Sequence, residues 1–444
     1  MDLPYRTKPQ PQVNQLIASL HPRHLGAELT QGLASARVVN IVGPRQAGKT
    51  TLVRDLFKGG RFVTLDDENV LAALDDDPVG QLDALVAAAG DLPLVIDEAQ
   101  RSKRLALSIK RIVDERRRMG QFVLTGSSNI FTTAQVADSL AGRVQTLTML
   151  PLSAAEIHHA GPALLFDWAQ QDGVALASLP DPAIWTRNEY IDLLLRGGYP
   201  EIRLLHNRAR QRRYHDYVNT IVDRDVADIL RIRKTDSMRR LIEQLAARTS
   251  YEVNIQELGG IIGIQRPTMD AYLDVLAKLS LVTRLPAWTS GETGRDIRQP
   301  KVHLVDTGIV SALRGMGPDT FLADANPSAL GGLLETFVYV EILKNLPYQR
   351  EHWRLYHWRS SRGREIDILA EAGRTLIGFE VKASATVTSE DFRHLRWFAE
   401  DGPGFGWNVF GIVIYLGNRP LSFGPRLIAL PLSTFWAYPQ QPEA

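Results

Sequence analysis

The stretch Val38-Val-Asn-Ile-Val-Gly-Pro-Arg-Gln-Ala-Gly-Lys-Thr-Thr-Leu-Val53 decides the fold of this chain. Its apolar beginning, Val38 to Val42, predicts a buried parallel strand, and the residues from Thr50 onward predict a helix. Between the two lies the G-x-x-x-x-G-K-S/T pattern, residues 43–50, in the strand-to-helix context that it requires. Its glycines let backbone N–H groups approach a phosphate closely, and the helix N-terminus adds partial positive charge. The stretch therefore predicts a loop that binds the phosphates of a nucleoside triphosphate.

The residues of this phosphate loop have distinct predicted roles in binding ATP. Lys49 is expected to reach the outer phosphates, and the hydroxyl of Thr50 is expected to ligate Mg²⁺. A glycine-rich turn that carries Lys and Thr by coincidence is the competing interpretation, but it does not explain the flanking strand and helix. The predicted nucleotide-binding residues of the loop are Gly43, Pro44, Arg45, Gln46, Ala47, Gly48, Lys49, Thr50 and Thr51.

Composition excludes several classes of protein. The chain has 444 residues, of which 44% are hydrophobic and 23% charged, and these values are typical of a globular protein with several domains. It contains no Cys, which excludes disulfides and Cys-based metal sites or nucleophiles. No apolar run reaches the ~18 residues of a membrane span, and residues 1–4 lack a signal-peptide pattern. We therefore expect a cytoplasmic protein with no membrane partner, and the net charge of +1 does not by itself indicate nucleic-acid binding.

Two adjacent carboxylates follow the next clear apolar strand. The run Leu92-Pro-Leu-Val-Ile ends in Asp97-Glu98, and ligands of open α/β sheets bind at such carboxyl ends of strands. Asp97 is expected to hold Mg²⁺, directly or through water, and Glu98 is expected to orient or deprotonate the attacking water. Acidic pairs after strands are common, but downstream of a phosphate loop this pair has the pattern of a Walker B motif.

Two further residues are candidates for contacts with the transferred phosphate. Ser127 follows a third apolar strand, residues 121–125, and is expected near the γ-phosphate as a sensor. An ordinary helix N-cap is an equally good interpretation of Ser127. Arg143 precedes another β-rich run and is a candidate arginine finger, acting in cis or from a neighbouring subunit. A surface arginine is the alternative interpretation of Arg143.

Taken together, four segments resemble a group of bacterial and archaeal AAA+-like ATPases: the phosphate loop, Asp-Glu-Ala-Gln at 97–100, Leu-Thr-Gly-Ser-Ser-Asn at 124–129 and Ser-Leu-Ala-Gly-Arg at 139–143. In members of that group the ATPase is fused to a C-terminal restriction-endonuclease-like domain. The resemblance therefore implies ATP and Mg²⁺ as cofactors and a nuclease-like C-terminal domain. Arg-Gly-Gly-Tyr-Pro-Glu at 196–201 is similar to the Gly-x-Pro signature of the helical lid in related signalling ATPases. That similarity implies that Tyr199 and Pro200 lie near the adenine.

The middle of the chain predicts a winged helix-turn-helix. The predicted elements are three helices and then two strands, at residues 238–248, 254–263, 269–279, 281–285 and 301–305. If the module binds DNA, one group of side chains is expected near a groove or on the wing: Arg266, Thr268, Tyr272, Arg295 and Arg298. A module that packs between two enzymatic domains is an equally good interpretation.

The C-terminal third carries the pattern of a metal-dependent phosphodiesterase. Two alternating strands flank Gly373-Arg374, and a two-residue type II′ turn there would place Asp367 directly opposite Glu380. Period-two alternation puts Lys382 on the same face, beside an upstream helix that carries Glu335. The predicted metal ligands are Glu335, Asp367 and Glu380, and the predicted catalytic residues are Asp367, Glu380 and Lys382. The order D…E-x-K with a helical Glu resembles the restriction-endonuclease-like superfamily, although E-x-K alone is common on exposed strand faces.

The sequence as a whole predicts an α/β protein of five segments. They are a mobile N-terminal arm (1–20), a P-loop AAA+-like ATPase core (21–150), a helical lid (151–235), a winged helix-turn-helix (236–305) and an α/β restriction-endonuclease-like domain (306–444). We expect a Mg²⁺-dependent ATPase that acts on nucleic acid, DNA rather than RNA, and that self-associates through its ATPase domain. The alternatives are a non-nucleolytic signalling ATPase that binds a protein partner and a toxin-like or defence factor.

Overall fold

A computed structural model describes residues 21–127, 142–163, 165–170, 184–230, 235–290, 299–321 and 327–437. The predicted N-terminal arm and the predicted wing residues Arg295 and Arg298 lie outside the described residues. Within the described ranges, no helix is both long enough and apolar enough to cross a membrane.

The first sheet is wholly parallel and carries the phosphate loop. Its strands are β1 (Val38–Val42), β2 (Phe62–Thr64), β3 (Leu94–Asp97), β4 (Phe122–Gly126) and β5 (Val144–Thr148), in the order β2-β3-β4-β1-β5. β1 pairs with β4 on one side and with β5 on the other, so the phosphate loop starts at the carboxyl edge of the sheet between two neighbours. Ligands of open α/β sheets bind at this edge.

Five helices cover the two faces of this sheet: α1 (Leu25–Ser35), α2 (Lys49–Leu56), α3 (Glu68–Asp76), α4 (Pro78–Ala89) and α5 (Leu105–Arg116). Because a parallel sheet is buried on both faces, its side chains divide between two cores. Val38, Ile96 and Leu124 pack in one core, and Ile41 and Val95 pack in the other. The near-continuous apolar runs of the sequence have this origin.

A helical segment follows the sheet, as the sequence predicts. Its helices are α6 (Ala154–Ile157), α7 (Leu165–Gln170), α8 (Arg187–Arg196), α9 (Asn207–Thr220) and α10 (Ala227–Leu230), with a π-helix, Ile221–Val226, between the last two. Helices α6 and α8 begin at capping boxes, in which Ser153 pairs with Glu156 and Thr186 pairs with Glu189. Each box satisfies two backbone N–H groups that the start of a helix leaves without partners. We refer to residues 151–235 as the lid segment.

The middle of the chain has the expected order of three helices and two strands. They are α11 (Asp236–Ala247), α12 (Ile255–Ile262), α13 (Arg266–Lys278), β6 (Val282–Leu285) and β7 (Lys301–Leu304). The two strands pair antiparallel, with Val282 opposite Leu304. The side chain of Asn254 caps α12, as predicted. A further helix, α14 (Thr307–Leu313), packs against α8 and α9 of the lid segment.

The C-terminal third is a mixed six-stranded sheet with a long helix, α15 (Pro327–Asn345), and two shorter helices, α16 (Arg393–Glu400) and α17 (Thr434–Ala437). Its strands are β8 (Arg354–Arg359), β9 (Glu365–Ala372), β10 (Thr375–Lys382), β11 (Asn408–Tyr415), β12 (Leu421–Gly424) and β13 (Leu427–Pro431), in the order β12-β13-β11-β10-β9-β8. Ala372 lies opposite Thr375, and Gly373 between them has a φ of 55°. The predicted hairpin turn is therefore confirmed, and continuing its register brings Asp367 opposite Glu380.

One hydrophobic core runs through the lid segment, the middle of the chain and the C-terminal sheet. It includes Tyr199 from the lid segment, Leu273 from α13, Phe337 from α15 and Phe379 from β10. The other face of the C-terminal sheet packs separately around Phe398 of α16. The three segments predicted after residue 150 therefore share one core, whereas the parallel sheet has two cores of its own, one on each face.

Candidate functional site

The phosphate loop depends on glycine at two positions. Gly43 has a φ of 153°, and a Cβ atom there would lie 2.0 Å from the carbonyl oxygen of Met149. Gly48, the N-cap of α2, has a φ of 99°, in the left-handed region that residues with side chains disfavour. These two residues let the chain leave β1, turn back and present the N-terminus of α2 at the loop.

Lys49 lies buried inside the loop, at the first turn of α2. Its Nζ atom donates hydrogen bonds of 2.8 Å to the carbonyl oxygens of Gly43 and Pro44. Burial lowers the pKa of Lys49 to about 8, and the carboxylates of Glu98 and Asp97 partly oppose this shift. A cation held at the centre of the loop is in position to contact the outer phosphates of a nucleotide.

Asp97 and Thr50 meet at the carboxyl edge of the parallel sheet. The Thr50 hydroxyl donates to the two carboxylate oxygens of Asp97, at 3.1 and 3.0 Å. The hydroxyl of Thr125, on the neighbouring strand β4, donates to the same carboxylate. A hydroxyl beside a carboxylate fits Mg²⁺, which prefers oxygen ligands. The structure thus brings together the two predicted Mg²⁺ ligands.

Glu98 follows with a φ of 55° and a ψ of 39°, which is uncommon for a residue with a side chain and frequent at functional sites. The amide of Gln100 donates to the Glu98 carboxylate at 2.5 Å and to the Ser127 hydroxyl at 3.3 Å. The predicted water-activating residue and the predicted sensor are therefore connected through Gln100. Sequence reasoning did not assign a role to Gln100, and only its place in the motif Asp-Glu-Ala-Gln could have indicated it.

A cavity of about 930 Å³ opens in front of the loop. It is lined by the loop residues 45–51, by Glu98 and, from the lid segment, by Pro200 and Tyr217. Small-molecule sites typically enclose roughly 300–1,000 Å³, so a nucleoside triphosphate fits in this space.

Pro200 is among the described residues that line this cavity, and Tyr199 is not. Tyr199 is fully buried in the lid segment, where its hydroxyl lies 3.0 Å from that of Tyr217. The expectation that Tyr199 lies near the adenine is therefore wrong. The preceding glycines turn tightly against Asp306, which accepts the N–H of Gly198 at 2.6 Å, and the adjacent ring packs into the core.

Arg23 is a site residue for which the sequence carries no motif. Its guanidinium donates to the carbonyl oxygen of Ala47 in the loop at 2.8 Å, and to that of Leu150 at 2.6 Å. It also donates to Glu156 at 3.0 Å. Burial disfavours the charged form of Glu156, but the charges of Arg23 and His24 and the backbone hydrogen bonds from Ser153 and His24 together outweigh it and lower the pKa of that carboxyl. Arg23 therefore ties the loop to the beginning of the lid segment.

Arg45 ties the loop to the far end of the lid segment. Its Nε and Nη2 atoms donate to the two carboxylate oxygens of Asp225 at 2.7 and 2.8 Å, so the pair is bidentate. The side chain of Asp225 is 10% exposed and that of Arg45 is 26% exposed. The Tyr217 hydroxyl donates to the carbonyl oxygen of Arg45 at 3.2 Å. Arg45 was expected from the loop pattern, whereas no motif marks Asp225.

Arg143 lies at the opposite edge of the sheet from the loop. Its carbonyl oxygen accepts the N–H of Arg37 at the amino end of β1, whereas the loop follows the carboxyl end. The strand between these ends is five residues long, or about 16 Å. The Arg143 guanidinium donates to Asp114 at 2.5 Å. This placement excludes an arginine finger acting in cis, and a finger acting on a neighbouring subunit stays a prediction.

A second group of charged side chains lies on one face of the C-terminal sheet. Lys382 Nζ lies 3.3 Å from Glu380 Oε2, and Asp367 accepts a backbone N–H of β10 at 2.9 Å. Lys301 Nζ, from β7, lies 2.7 Å from Glu335 Oε1 and 3.8 Å from Asp367 Oδ1. The structure thus brings together the four predicted residues and adds Lys301, which the sequence did not single out. We refer to these five residues as the C-terminal cluster.

The C-terminal cluster crowds three carboxylates with two ammonium groups. Burial and the charge of Asp367 raise the pKa of Glu335 to about 8, and they raise that of Glu380 well above its usual range. At Lys301 and Lys382 the neighbouring carboxylates outweigh the effect of burial and raise the pKa. Both lysines therefore stay charged, and Glu335 holds a proton near neutral pH.

Glu380 has the feature expected of a metal ligand in this cluster. Its Oε1 atom is buried and has no hydrogen-bond partner among the described residues, which is unusual for a carboxylate oxygen. Glu335, in contrast, is already paired with Lys301. In the part of the chain that the structure describes, no group of three or more His, Cys, Asp or Glu side chains is arranged to hold a metal. Of the three predicted ligands, Asp367 and Glu380 fit a divalent cation, and Glu335 is already occupied by its hydrogen bond from Lys301.

Helix α13 presents little net positive charge to solvent. Arg266 and Thr268 are exposed at its beginning, but Asp270 lies 3.8 Å from the Arg266 guanidinium, and Asp274 is also exposed. Tyr272 is buried in the shared core. The expectation that Tyr272 contacts a DNA groove is therefore wrong, because it lies on the apolar stripe of the helix.

Three parts of the chain match models of protein families. Residues 35–158 match the family described as "AAA domain", and this range holds the parallel sheet, the phosphate loop, Asp97 and Glu98. Residues 35–158 form an ATPase domain of the AAA+ type. The rest of this ATPase matches two families without a known function: residues 187–320 match "Domain of unknown function (DUF8612)" and residues 330–435 match "Domain of unknown function (DUF4143)".

Two curated proteins are similar to most of the ATPase chain. "Uncharacterized protein Rv2008c" of Mycobacterium tuberculosis and "Uncharacterized protein Mb2031c" of Mycobacterium bovis are each 29% identical over 367 residues, which cover 82% of this chain and 74% of theirs. Similar solved structures include the Walker-type ATPase PABY2304 of Pyrococcus abyssi, with 14% identity, a TM-score of 0.43 and coverage of 67% of this chain and 99% of that chain. The signal transduction ATPase PH0952 of Pyrococcus horikoshii has 12% identity, a TM-score of 0.27 and coverage of 74% and 48%. TM-scores this low carry no argument about function.

Proposed function

We propose that this ATPase hydrolyses ATP with Mg²⁺ at the phosphate loop and couples the nucleotide to chemistry on DNA at the C-terminal cluster. The observation that supports hydrolysis best is the contact between Asp97 and Thr50, which lines the cavity that the loop and the lid segment share together with Glu98. Oxygen ligands, a buried ammonium and a carboxylate placed to accept a proton are the groups that phosphoryl transfer to water requires.

In the proposed reaction each residue acts at a defined point of the nucleotide. Thr50 and Asp97 would hold Mg²⁺, which neutralises charge on the phosphates when it is bound. Lys49 binds the outer phosphate oxygens. Glu98 accepts a proton from the attacking water and orients it, and Gln100 holds the Glu98 carboxylate in place.

Replacing Glu98 separates hydrolysis from binding. In Glu98→Gln the shape of the side chain stays, but no base remains, so we expect ATP turnover to fall by about 10²–10⁴-fold with little change in ATP affinity. Lys49→Ala should instead weaken binding itself. Glu115→Gln is the matched control, because this glutamate pairs with Arg111 on the exposed surface of α5. Turnover at the wild-type rate in Glu98→Gln would show that the assignment is wrong.

For the C-terminal cluster we propose metal-dependent hydrolysis of a phosphodiester, with DNA as the substrate. The observation in favour is the unpaired Oε1 atom of Glu380, opposite Asp367 on the neighbouring strand, with Lys382 Nζ 3.3 Å from the other carboxylate oxygen, Oε2. Asp367 and Glu380 would hold the divalent cation, which polarises a phosphate when it is bound. Lys382 then orients the attacking water or stabilises the charge that develops on the phosphate.

Binding of Mn²⁺ tests this cluster independently of any activity. We expect calorimetry to detect a Mn²⁺ site in the full chain that disappears in Asp367→Asn/Glu380→Gln. Glu390→Gln, a change to a 70% exposed side chain outside the cluster, should leave Mn²⁺ binding intact. Equal Mn²⁺ binding by the wild type and the double variant would argue against the metal assignment.

The alternative is a non-nucleolytic switch, of the signalling or toxin-like kind, in which the nucleotide state controls binding of a protein partner. Two observations favour it. Lys301 already occupies Glu335 in the cluster, and Asp270 and Asp274 of α13, which pair with Arg266 and Arg284, reduce the attraction of this helix for a DNA backbone. Under this alternative, Arg266→Ala leaves DNA affinity unchanged. If the beginning of α13 binds DNA, the same substitution should lower DNA affinity.

A further inference from the structure

The ion pair between Arg45 and Asp225 joins the phosphate loop to the lid segment. Both hydrogen bonds are short, at 2.7 and 2.8 Å, and both partners are largely shielded from solvent. Bidentate pairs between arginine and a carboxylate are stronger than ordinary surface ion pairs, because two charge-assisted bonds form in one fixed plane. The contact therefore holds the lid segment against the loop.

Phosphate oxygens bound at this loop would compete for the same guanidinium. Arg45 lines the nucleotide cavity together with Lys49 and Thr50, so all three face the same bound molecule. Burial of Arg45 is outweighed by the hydrogen bond and charge of Asp225, with smaller contributions from Glu98 and Asp66, and its pKa is raised. Glu98, which would activate water against the terminal phosphate, lines the same cavity as Arg45. A nucleoside diphosphate lacks that terminal phosphate.

Asp225 lies in a part of the lid segment that is irregular. The π-helix Ile221–Val226 interrupts the run from α9 to α10. Such interruptions are rare in proteins as a whole, but those that occur often lie at functional sites. Thr220 and Ile221, at the start of this π-helix, line the nucleotide cavity. Asp225 therefore belongs to the same short run of backbone that forms part of the cavity wall.

We propose that Arg45 is the residue that distinguishes a triphosphate from a diphosphate, and that its pair with Asp225 breaks when a triphosphate binds. With a triphosphate, the guanidinium exchanges Asp225 for oxygens of the terminal phosphate, and the π-helical end of the lid segment is released. With a diphosphate, the pair stays closed. This inference rests on the proposed ATPase function and adds its specificity and its regulation.

Two affinities measured on each variant test the exchange. Calorimetry on the full chain would use ADP and adenylyl imidodiphosphate, a triphosphate analogue that is not hydrolysed. In Asp225→Asn the competing charge is gone, so we expect the analogue to bind about tenfold more tightly while ADP affinity changes less than about twofold. In Arg45→Lys the bidentate fork is lost, so we expect the analogue to bind about tenfold more weakly, again with little change for ADP.

The matched control is Asp223→Asn, which changes a carboxylate two positions away on the same π-helix. Asp223 pairs with Arg239 of α11 and not with the loop, so its loss should leave the ratio of the two affinities at the wild-type value. Hydrogen exchange of residues 221–226 gives a second readout. Exchange should rise with the triphosphate analogue and not with ADP, and in Asp225→Asn it should be high without any nucleotide.

Specific outcomes would overturn the inference. Weaker analogue binding by Asp225→Asn would mean that Asp225 positions Arg45 for the nucleotide and does not compete with it. An unchanged ratio of the two affinities in both variants would also exclude release of the π-helical end. The same conclusion would follow if hydrogen exchange of residues 221–226 did not change when the analogue binds. Failure of the ATPase function itself is distinguishable, because the wild type would then bind neither nucleotide, or Lys49→Ala would bind both as the wild type does.

Discussion

Lys301→Met removes the ammonium that lies between two carboxylates of the C-terminal cluster and keeps most of the aliphatic stem. The side chain of Lys301 is 8% exposed, and those of Glu335 and Asp367 are 14% and 12% exposed. Removing one partner of a buried ion pair typically costs about 3–5 kcal/mol, because the remaining charge stays buried. The cost here depends on pH, because Glu335 can take up a proton.

The direction of this pH dependence follows from the pKa of Glu335, which burial and Asp367 raise to about 8. The folded chain therefore binds more protons than the unfolded chain between the ordinary pKa of a glutamate and that value, so the free energy of unfolding falls as pH rises through this window. Without Lys301 the folded pKa rises further, and the fall continues above pH 8. Each additional pH unit adds about 1.4 kcal/mol of destabilisation relative to the wild type.

We expect Lys301→Met to lower the free energy of unfolding by about 2 kcal/mol at pH 7, mainly because charge-assisted hydrogen bonds are lost. At pH 9 we expect it to lower the free energy of unfolding by about 3–5 kcal/mol. Scanning calorimetry of the variant and the wild type at both pH values measures the difference as a shift in Tm. The double variant Lys301→Met/Glu335→Gln should recover much of the loss at pH 9, since no unpaired carboxylate remains. An equal Tm shift at pH 7 and pH 9, or a double variant no more stable than the single one, would refute this reasoning.

Three further predictions concern the parallel sheet and the lid segment. If Arg143 acts on a neighbouring subunit, mixing Arg143→Ala chains with Lys49→Ala chains should restore part of the ATPase rate, and mixed oligomers without any rescue would show that Arg143 has a structural role. Because burial lowers the pKa of Lys49 to about 8, the lysine loses its charge as pH rises from 7 to 9, and ATP affinity should fall over this range. The weak ATP affinity of Lys49→Met should not change with pH. The same dependence of ATP affinity on pH in both proteins would contradict this assignment. Gly197 has a φ of 66°, and a Cβ atom there would lie 2.2 Å from Asp306, so Gly197→Ala should lower the free energy of unfolding by about 2–3 kcal/mol. Gly59→Ala is the control, because φ is also positive there but the space is open, and it should lower the free energy of unfolding by about 1 kcal/mol. Equal Tm shifts in the two variants would exclude the clash.

The parts of the site that the sequence predicted are those in which spacing along the chain fixes the geometry. The phosphate loop has to follow its strand and open its helix, so Lys49 and Thr50 could be placed from the pattern alone. Asp97 and Glu98 end a neighbouring parallel strand, and such strand ends meet at one edge. The hairpin at Gly373 likewise fixes the register of Asp367 and Glu380 once the turn is identified.

The contacts that the sequence did not predict join residues far apart in the chain. Arg23, Asp225 and Lys301 each lie in a segment without a motif, and their partners are brought to them by packing of whole elements. The alternation in Lys301-Val-His-Leu304 is compatible with an exposed lysine, and only the approach of α15 buries it. No local pattern carries that information.

Two aromatic residues show how a local pattern can also mislead. Tyr199 belongs to a segment that resembles a nucleotide-binding signature, yet its ring lies in the shared core. Tyr272 falls on the apolar face of α13, and strict use of the helical period would have placed it inside. In both cases the hydrophobic area of the ring decided its position, which agrees with the general burial of aromatic side chains.

The coupling between the nucleotide and the C-terminal cluster is tested most directly by cleavage of a linear DNA duplex by the purified full chain with Mg²⁺, measured with and without ATP. We predict that the wild type cleaves the duplex, that ATP changes the rate by at least about tenfold, equivalent to about 1.4 kcal/mol, and that Asp367→Asn/Glu380→Gln abolishes cleavage while ATP turnover continues. Absence of cleavage by the wild type with Mg²⁺ or Mn²⁺, or cleavage that persists in the double variant, would contradict a phosphodiesterase at this cluster and would favour the protein-binding switch.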